Sequence, residues 1–196
     1  MNNFEDIEGL VEGFLDSLPC QSDIPFPEVE VEEKNINYAN MLLDAQSSAA
    51  DSEIQAIAQY IYHHKTIANE HIAGALMCIA LVEMRHYDVL GELITKLGGK
   101  PVLYNSNRAF WSTENIAYGD KDILCLKLDE KDPKDKEIIK QKIMLDIKGE
   151  INAINGYKFI KKNVSDKYIK KILDKIISDE EVHLQIFESI IKKYLC

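Results

Sequence analysis

Two stretches of this chain, 97 positions apart, carry the same arrangement of acids and histidines. The first has Glu53 followed by Glu83-Met84-Arg85-His86, and the second has Glu150 followed by Glu180-Glu181-Val182-His183. In each, the Glu-x-x-His begins 30 positions after the lone Glu. Laid over each other without a gap, 53–86 and 150–183 are identical at 11 of 34 positions, including Glu53/Glu150, Tyr60/Tyr157, Glu83/Glu180 and His86/His183. An internal repeat narrows the possible folds more than any other sequence feature, because each copy must form the same supersecondary unit.

Residues at i and i+3 share one face of a helix, so Glu83 with His86, and Glu180 with His183, point into the same space. Together with Glu53 and Glu150 they supply four carboxylates and two imidazoles. Buried without a counter-charge, such a cluster is costly; two divalent cations would neutralise it. Oxygen and imidazole donors without thiolates suit iron or manganese, so the expected cofactor is two iron or two manganese ions per chain. One Glu-x-x-His is a weak signal. Two within matching repeats, each preceded by a Glu at the same distance, form a strong one.

Tyr60 and Tyr157 stand seven residues after the lone glutamates, two turns along the same face. They read either as core tyrosines with satisfied hydroxyls or as donors to a ligand carboxylate. Asp146 and Asp179, each four residues from a candidate ligand, could accept the outer N–H of a metal-bound imidazole. His63, His64 and His71 lie near the first predicted turn and are expected at the surface.

The pattern predicts helices over about 37–64, 69–97, 134–163 and 166 to the end. If Glu53 and Glu83 stand at one height in an antiparallel hairpin, the turn falls near residue 68, beside Asn69, a good N-cap. The second midpoint falls at 165, beside Ser165-Asp166. Each arm from turn to carboxylate is then about 15 residues, or ~22 Å. The stretch 98–135 is too long for a simple turn and long enough to run back along the bundle. The expected architecture is all-α: a four-helix bundle over 36–196, made of two antiparallel hairpins joined by the 98–135 crossover. Residues 1–35 form an N-terminal arm. Within it, Phe4, Ile7, Leu10, Val11, Phe14, Leu15 and Leu18 mark a short amphipathic helix ended by Pro19, and a proline-containing extended run follows. That arm could cap the bundle or reach a neighbouring subunit.

A net charge of −10 argues against nucleic acid or an anionic membrane as partner. No apolar run reaches spanning length, and the acidic N-terminus lacks the basic start of a signal peptide, so a cytoplasmic location is expected. Cys20, Cys78, Cys125 and Cys196 are far apart and form no C-x-x-C, which predicts reduced thiols without a metal role.

At these residues the chain resembles the ferritin-like superfamily of dinuclear carboxylate proteins, which includes rubrerythrins, bacterioferritins and manganese catalases. The likeness covers about 37–195. It implies that Glu83 and Glu180 bridge the metals, while Glu53 with His86, and Glu150 with His183, are terminal ligands. It also implies that tyrosines at the Tyr60 and Tyr157 positions bond ligand carboxylates, and that an acid at the Asp146 position supports a ligand histidine. Met84 occupies the position of a haem-ligating Met in bacterioferritin-like chains, but suits an ordinary helix equally well. The chain lacks the two C-x-x-C motifs of typical rubrerythrins, and Ala153 stands where many of them have a further carboxylate. The resemblance therefore implies a dinuclear-metal oxidoreductase acting on hydrogen peroxide, catalase-like or rubrerythrin-like. The alternative is a ferroxidase, iron-storage or coat-assembly protein. Hydrogen peroxide or dioxygen, a homo-oligomeric assembly and an external electron donor are the partners this implies.

Overall fold

The computed structural model describes residues 7–47, 51–103 and 127–196. In chain order the helices are α1 (Ile7–Asp16), α2 (Ile36–Ser47), α3 (Glu53–Thr66), α4 (Glu70–Lys96), α5 (Pro133–Asn163) and α6 (Lys167–Ile190), the last running on into a π-helical turn, Ile191–Leu195. Helix α3 packs chiefly on α4, and α5 on α6, giving two hairpins. The expected turns are present with their caps. Asn69 Oδ1 accepts from the backbone N–H groups of His71 and Ile72 at 2.9 and 3.0 Å, and Asp166 Oδ1 accepts from those of Tyr168 and Ile169 at 2.8 and 3.2 Å. Each cap satisfies donors that the first helical turn leaves orphaned. No described helix is long and apolar enough to cross a membrane.

The two described ends of the crossover lie at opposite ends of the bundle. Leu97 O accepts from Asn35 N at the start of α2, whereas Leu128 pairs with the α3–α4 turn through Leu128 N→Thr66 O and Ala68 N→Leu128 O. The connection therefore joins opposite ends of the bundle, as a crossover requires. The aromatics of that segment (Tyr104, Phe110, Trp111, Tyr118) and Cys125 lie outside the described residues. Two hydrophobic clusters fill the interior. One centres on Leu42, Leu90, Leu93 and Leu173, the other on Leu76, Ile79, Ile143 and Phe187.

Three expectations need correction. The first bundle helix is not continuous over 37–64: it stops at Ser47 and restarts at Glu53, with Asp51 at φ 54°. Serine and aspartate favour caps and turns over helix interiors, and Asp51 is among the residue types that visit the left-handed region at low cost. The second correction concerns the thiols. Cys20 and Cys78 form a disulfide with Cα atoms 6.1 Å apart, because the arm folds back along α4 and brings together residues separated by 58 positions. Cys196 is free and exposed. The third is His63, which is fully buried rather than at the surface. His64 is half-buried with Nδ1 2.7 Å from Ala73 O, and His71 is exposed and stacks on Tyr194.

The arm lies against its own bundle. Glu32 N donates to Asp166 Oδ2 at 2.6 Å, and Ser22 reaches Asp179. The Arg85 guanidinium packs over Phe26 while bonding Glu12 and Asp16 of α1. Only part of the α1 stripe is used, since Ile7, Leu10, Val11 and Phe14 remain exposed.

Candidate metal centre

Four helices deliver six polar side chains to one interior point. Helix α3 contributes Glu53 as its first residue, where the helix dipole favours a carboxylate. Helix α4 contributes Glu83 and His86, α5 Glu150, and α6 Glu180 and His183. None exceeds 3% exposure, so the cluster is buried from bulk solvent.

The six are arranged around the two imidazoles. His86 Nδ1 lies 3.1 Å from Glu83 Oε2, 3.4 Å from Glu180 Oε1 and 3.7 Å from Glu53 Oε2. His183 Nδ1 lies 2.9 Å from Glu180 Oε2, 3.0 Å from Glu83 Oε1 and 3.7 Å from Glu150 Oε1. Glu83 and Glu180 thus each turn one oxygen toward each histidine, while Glu53 and Glu150 each face one. The donor atoms form two overlapping quartets, Glu53–Glu83–His86–Glu180 and Glu83–Glu150–Glu180–His183, with the atoms of each within 4.8 Å of one another.

Burial pushes the Glu53 and Glu150 carboxyls well above the usual range, and the charges of Glu83 and Glu180 add to this. For Glu83 and Glu180 burial acts the same way but is outweighed by the charge and polar contacts of the two histidines beside them, so both are held low. Burial opposes charge on His86 and His183 as well, yet the surrounding carboxylates raise both far above the ordinary imidazole value. The imidazole protons therefore supply the positive charge that the carboxylates demand. Divalent cations would do so better, and two observations favour that fit. Glu83 Oε1 is buried without an aligned hydrogen bond despite its 3.0 Å approach to His183. All donors are carboxylate oxygen or imidazole nitrogen, the set suited to iron and manganese.

The tyrosines bond across the repeats. Tyr60 of the first donates to Glu150 of the second at 2.6 Å, and Tyr157 of the second donates to Glu53 of the first. Burial, then the charges of Glu150, Glu83 and Asp146, raise the Tyr60 hydroxyl well above its usual value, so it remains a donor. Asp179 does hold an imidazole, but that of His86 on α4 (3.1 Å to Nε2) rather than His183 on its own helix. Burial would raise the Asp179 carboxyl; its bonds to His86, Lys175 and Ser22 prevail and lower it to about 2. Asp146 bonds neither His86 nor His183. Its Oδ2 lies 2.9 Å from His63 Nδ1, and its Oδ1 accepts from Gln59 Nε2 at 2.7 Å. Reading from spacing alone missed His63, Gln59, Ser22 and Lys175. Of these only Lys175 left a signal, standing one helical turn before Asp179. Met84 points outward and is half exposed.

A cavity of about 30 Å³ reaches the cluster between α3 and α5. Its lining includes Glu53, Glu83, Glu150 and Glu180 at depth, with Gln59 and Ala153 beside them. It holds little more than a water or two.

No family model matches the chain. A relative from Clostridium acetobutylicum, named "Probable manganese catalase", is 23% identical over 170 residues, covering 85% of this chain and 75% of its own length. Among solved structures, a manganese catalase from Anabaena superposes with a TM-score of 0.72 at 21% identity, covering 87% of this chain and 78% of that one. A Rhodobacter capsulatus bacterioferritin superposes at 0.62 with 23% identity, covering 83% and 88%. At these identities the likenesses establish the ferritin-like fold.

Proposed function

We propose that this ferritin-like bundle is a dinuclear-metal oxidoreductase that consumes hydrogen peroxide. Two ions would be held by Glu53 with His86 and by Glu150 with His183, with Glu83 and Glu180 shared between the two positions. The observation that carries the reading is the split of Glu83 and Glu180, each with one oxygen beside each imidazole. When bound, such a pair of ions would supply the two-electron redox chemistry that converts two hydrogen peroxide molecules into one dioxygen and two waters. The protein's share is to hold six donors in place, to keep bulk water out and to admit only small molecules through the narrow cavity. Tyr60 and Tyr157, by donating to Glu150 and Glu53, fix the orientation of the terminal carboxylates. The likeness to two manganese catalases makes manganese the first ion to test.

Protein purified without added metal should contain about two equivalents of manganese or iron per chain, and should release dioxygen from peroxide without a reductant. Metal at two equivalents with peroxide loss only when a reductant is supplied would make it a peroxidase. The bacterioferritin likeness supports a second reading, iron oxidation and storage. Uptake of iron far beyond two ions per chain would favour it. Protein that binds neither metal sinks both.

A further inference from the structure

The repeat makes the six donors nearly equivalent, but what stands behind them is not. The outer nitrogen of His86, Nε2, lies 3.1 Å from Asp179 Oδ2. Asp179 is fully buried, and its other oxygen accepts three bonds: Ser22 N at 2.8 Å, Ser22 Oγ at 2.7 Å and Lys175 Nζ at 2.7 Å. The outer nitrogen of His183 is also buried, and among the described residues it has no hydrogen-bond partner. The alignment of the repeats gives a reason. The counterpart of Asp179 in the first copy is Val82, which can accept nothing, and the counterpart of Lys175 is Cys78, which is tied to Cys20.

A carboxylate that accepts the outer N–H of an imidazole fixes its tautomer, orients the ring and raises the basicity of the coordinating nitrogen. His86 has such a partner, itself locked by Lys175 and by the arm. His183 does not. The geometry points to unequal metal positions: the one formed by Glu53, Glu83, His86 and Glu180 fills first and holds its ion about 10–100-fold more tightly, this being the usual worth of such a partner. The position formed by Glu83, Glu150, Glu180 and His183 is the exchangeable one, and Asp179 is the positioning residue that makes the difference. This inference rests on the dinuclear reading above.

Stepwise filling alone would not test it, since a first cation always disfavours a second. The test is a double-mutant cycle on single positions, with Mn²⁺ titrated into metal-free protein and followed by calorimetry. H183A should keep a first binding constant close to that of the unaltered chain, whereas H86A should lose about 10–100-fold. Adding D179N should weaken H183A by the same factor and leave H86A unchanged. Asn keeps the size of Asp and can still accept from Ser22 and Lys175. If H86A does not fold, D179N against the unaltered chain decides: the first constant should fall while the second stays within a few-fold. Equal first constants in H86A and H183A, or a D179N effect that is the same on both, overturn the inference and leave the dinuclear reading standing. No Mn²⁺ or Fe²⁺ binding by the unaltered chain overturns the dinuclear reading itself.

Discussion

Glu83 and Tyr157 lie in the same cluster, and their substitutions should separate two kinds of contribution. Glu83→Gln removes a charge that faces both imidazoles, so metal content should fall from two equivalents to well below one, measured by elemental analysis after desalting. Tyr157→Phe removes a donor to Glu53 but no ligand, so occupancy should stay near two while peroxide turnover drops. A normal metal content in Glu83→Gln would contradict the bridging assignment. The buried pair of His63 and Asp146 gives a third prediction. His63→Ala strips a partner from a carboxylate that has no exposure, and should lower stability by about 1–3 kcal/mol in denaturant titrations, with metal content unchanged. The six donors were legible because repetition and helical spacing both constrain them. His63 was not, because its repeat counterpart is Ile160 and its sequence position suggested a turn. Its burial follows from the closing of α3 onto α5 around Asp146, which is a matter of tertiary packing.

At the scale of elements, the hairpins and their turns could be read from the caps and midpoints, since Asn69 and Asp166 satisfy local donors by chemistry that spacing reveals. The break between α2 and α3 could not be placed that way. The apolar period runs through it, and only the cluster of serines with Asp51 hints that the helix stops. Its effect is local to the centre: it puts Glu53 at a helix start and opens the wall beside the cavity. The Cys20–Cys78 bond was equally hidden, because pairing depends on where the arm lies. That bond closes a loop of 58 positions and holds the segment from which Ser22 reaches Asp179. Replacing both cysteines by serine should cost about 2–4 kcal/mol of stability, seen as a lower midpoint in denaturant. A midpoint identical to that of the unaltered chain would show that the arm holds its place without the crosslink.

At the scale of the whole molecule, the centre sets how stability depends on pH. In the metal-free protein His86, His183, Glu53 and Glu150 all hold their protons more tightly when folded than when unfolded. For the histidines this stabilisation is fully present below about pH 6.5, the unfolded value, and is lost as pH rises toward the elevated folded value. For the two glutamates the unfolded chain sheds its protons above about pH 4.3 while the folded one retains them, so they act in the same direction. Glu83, Glu180 and Asp179 are held low and act oppositely, but only as the solution becomes acidic enough to protonate them. The melting temperature of the protein in chelator should therefore decline between about pH 5 and pH 9. Cations compete with those same protons, so saturating Mn²⁺ should add more stability at each step upward in pH. Calorimetric scans with chelator and with Mn²⁺ would show two curves that diverge as pH rises. Parallel curves would mean that metal binding releases no protons, and that the ions are held somewhere other than among these six side chains.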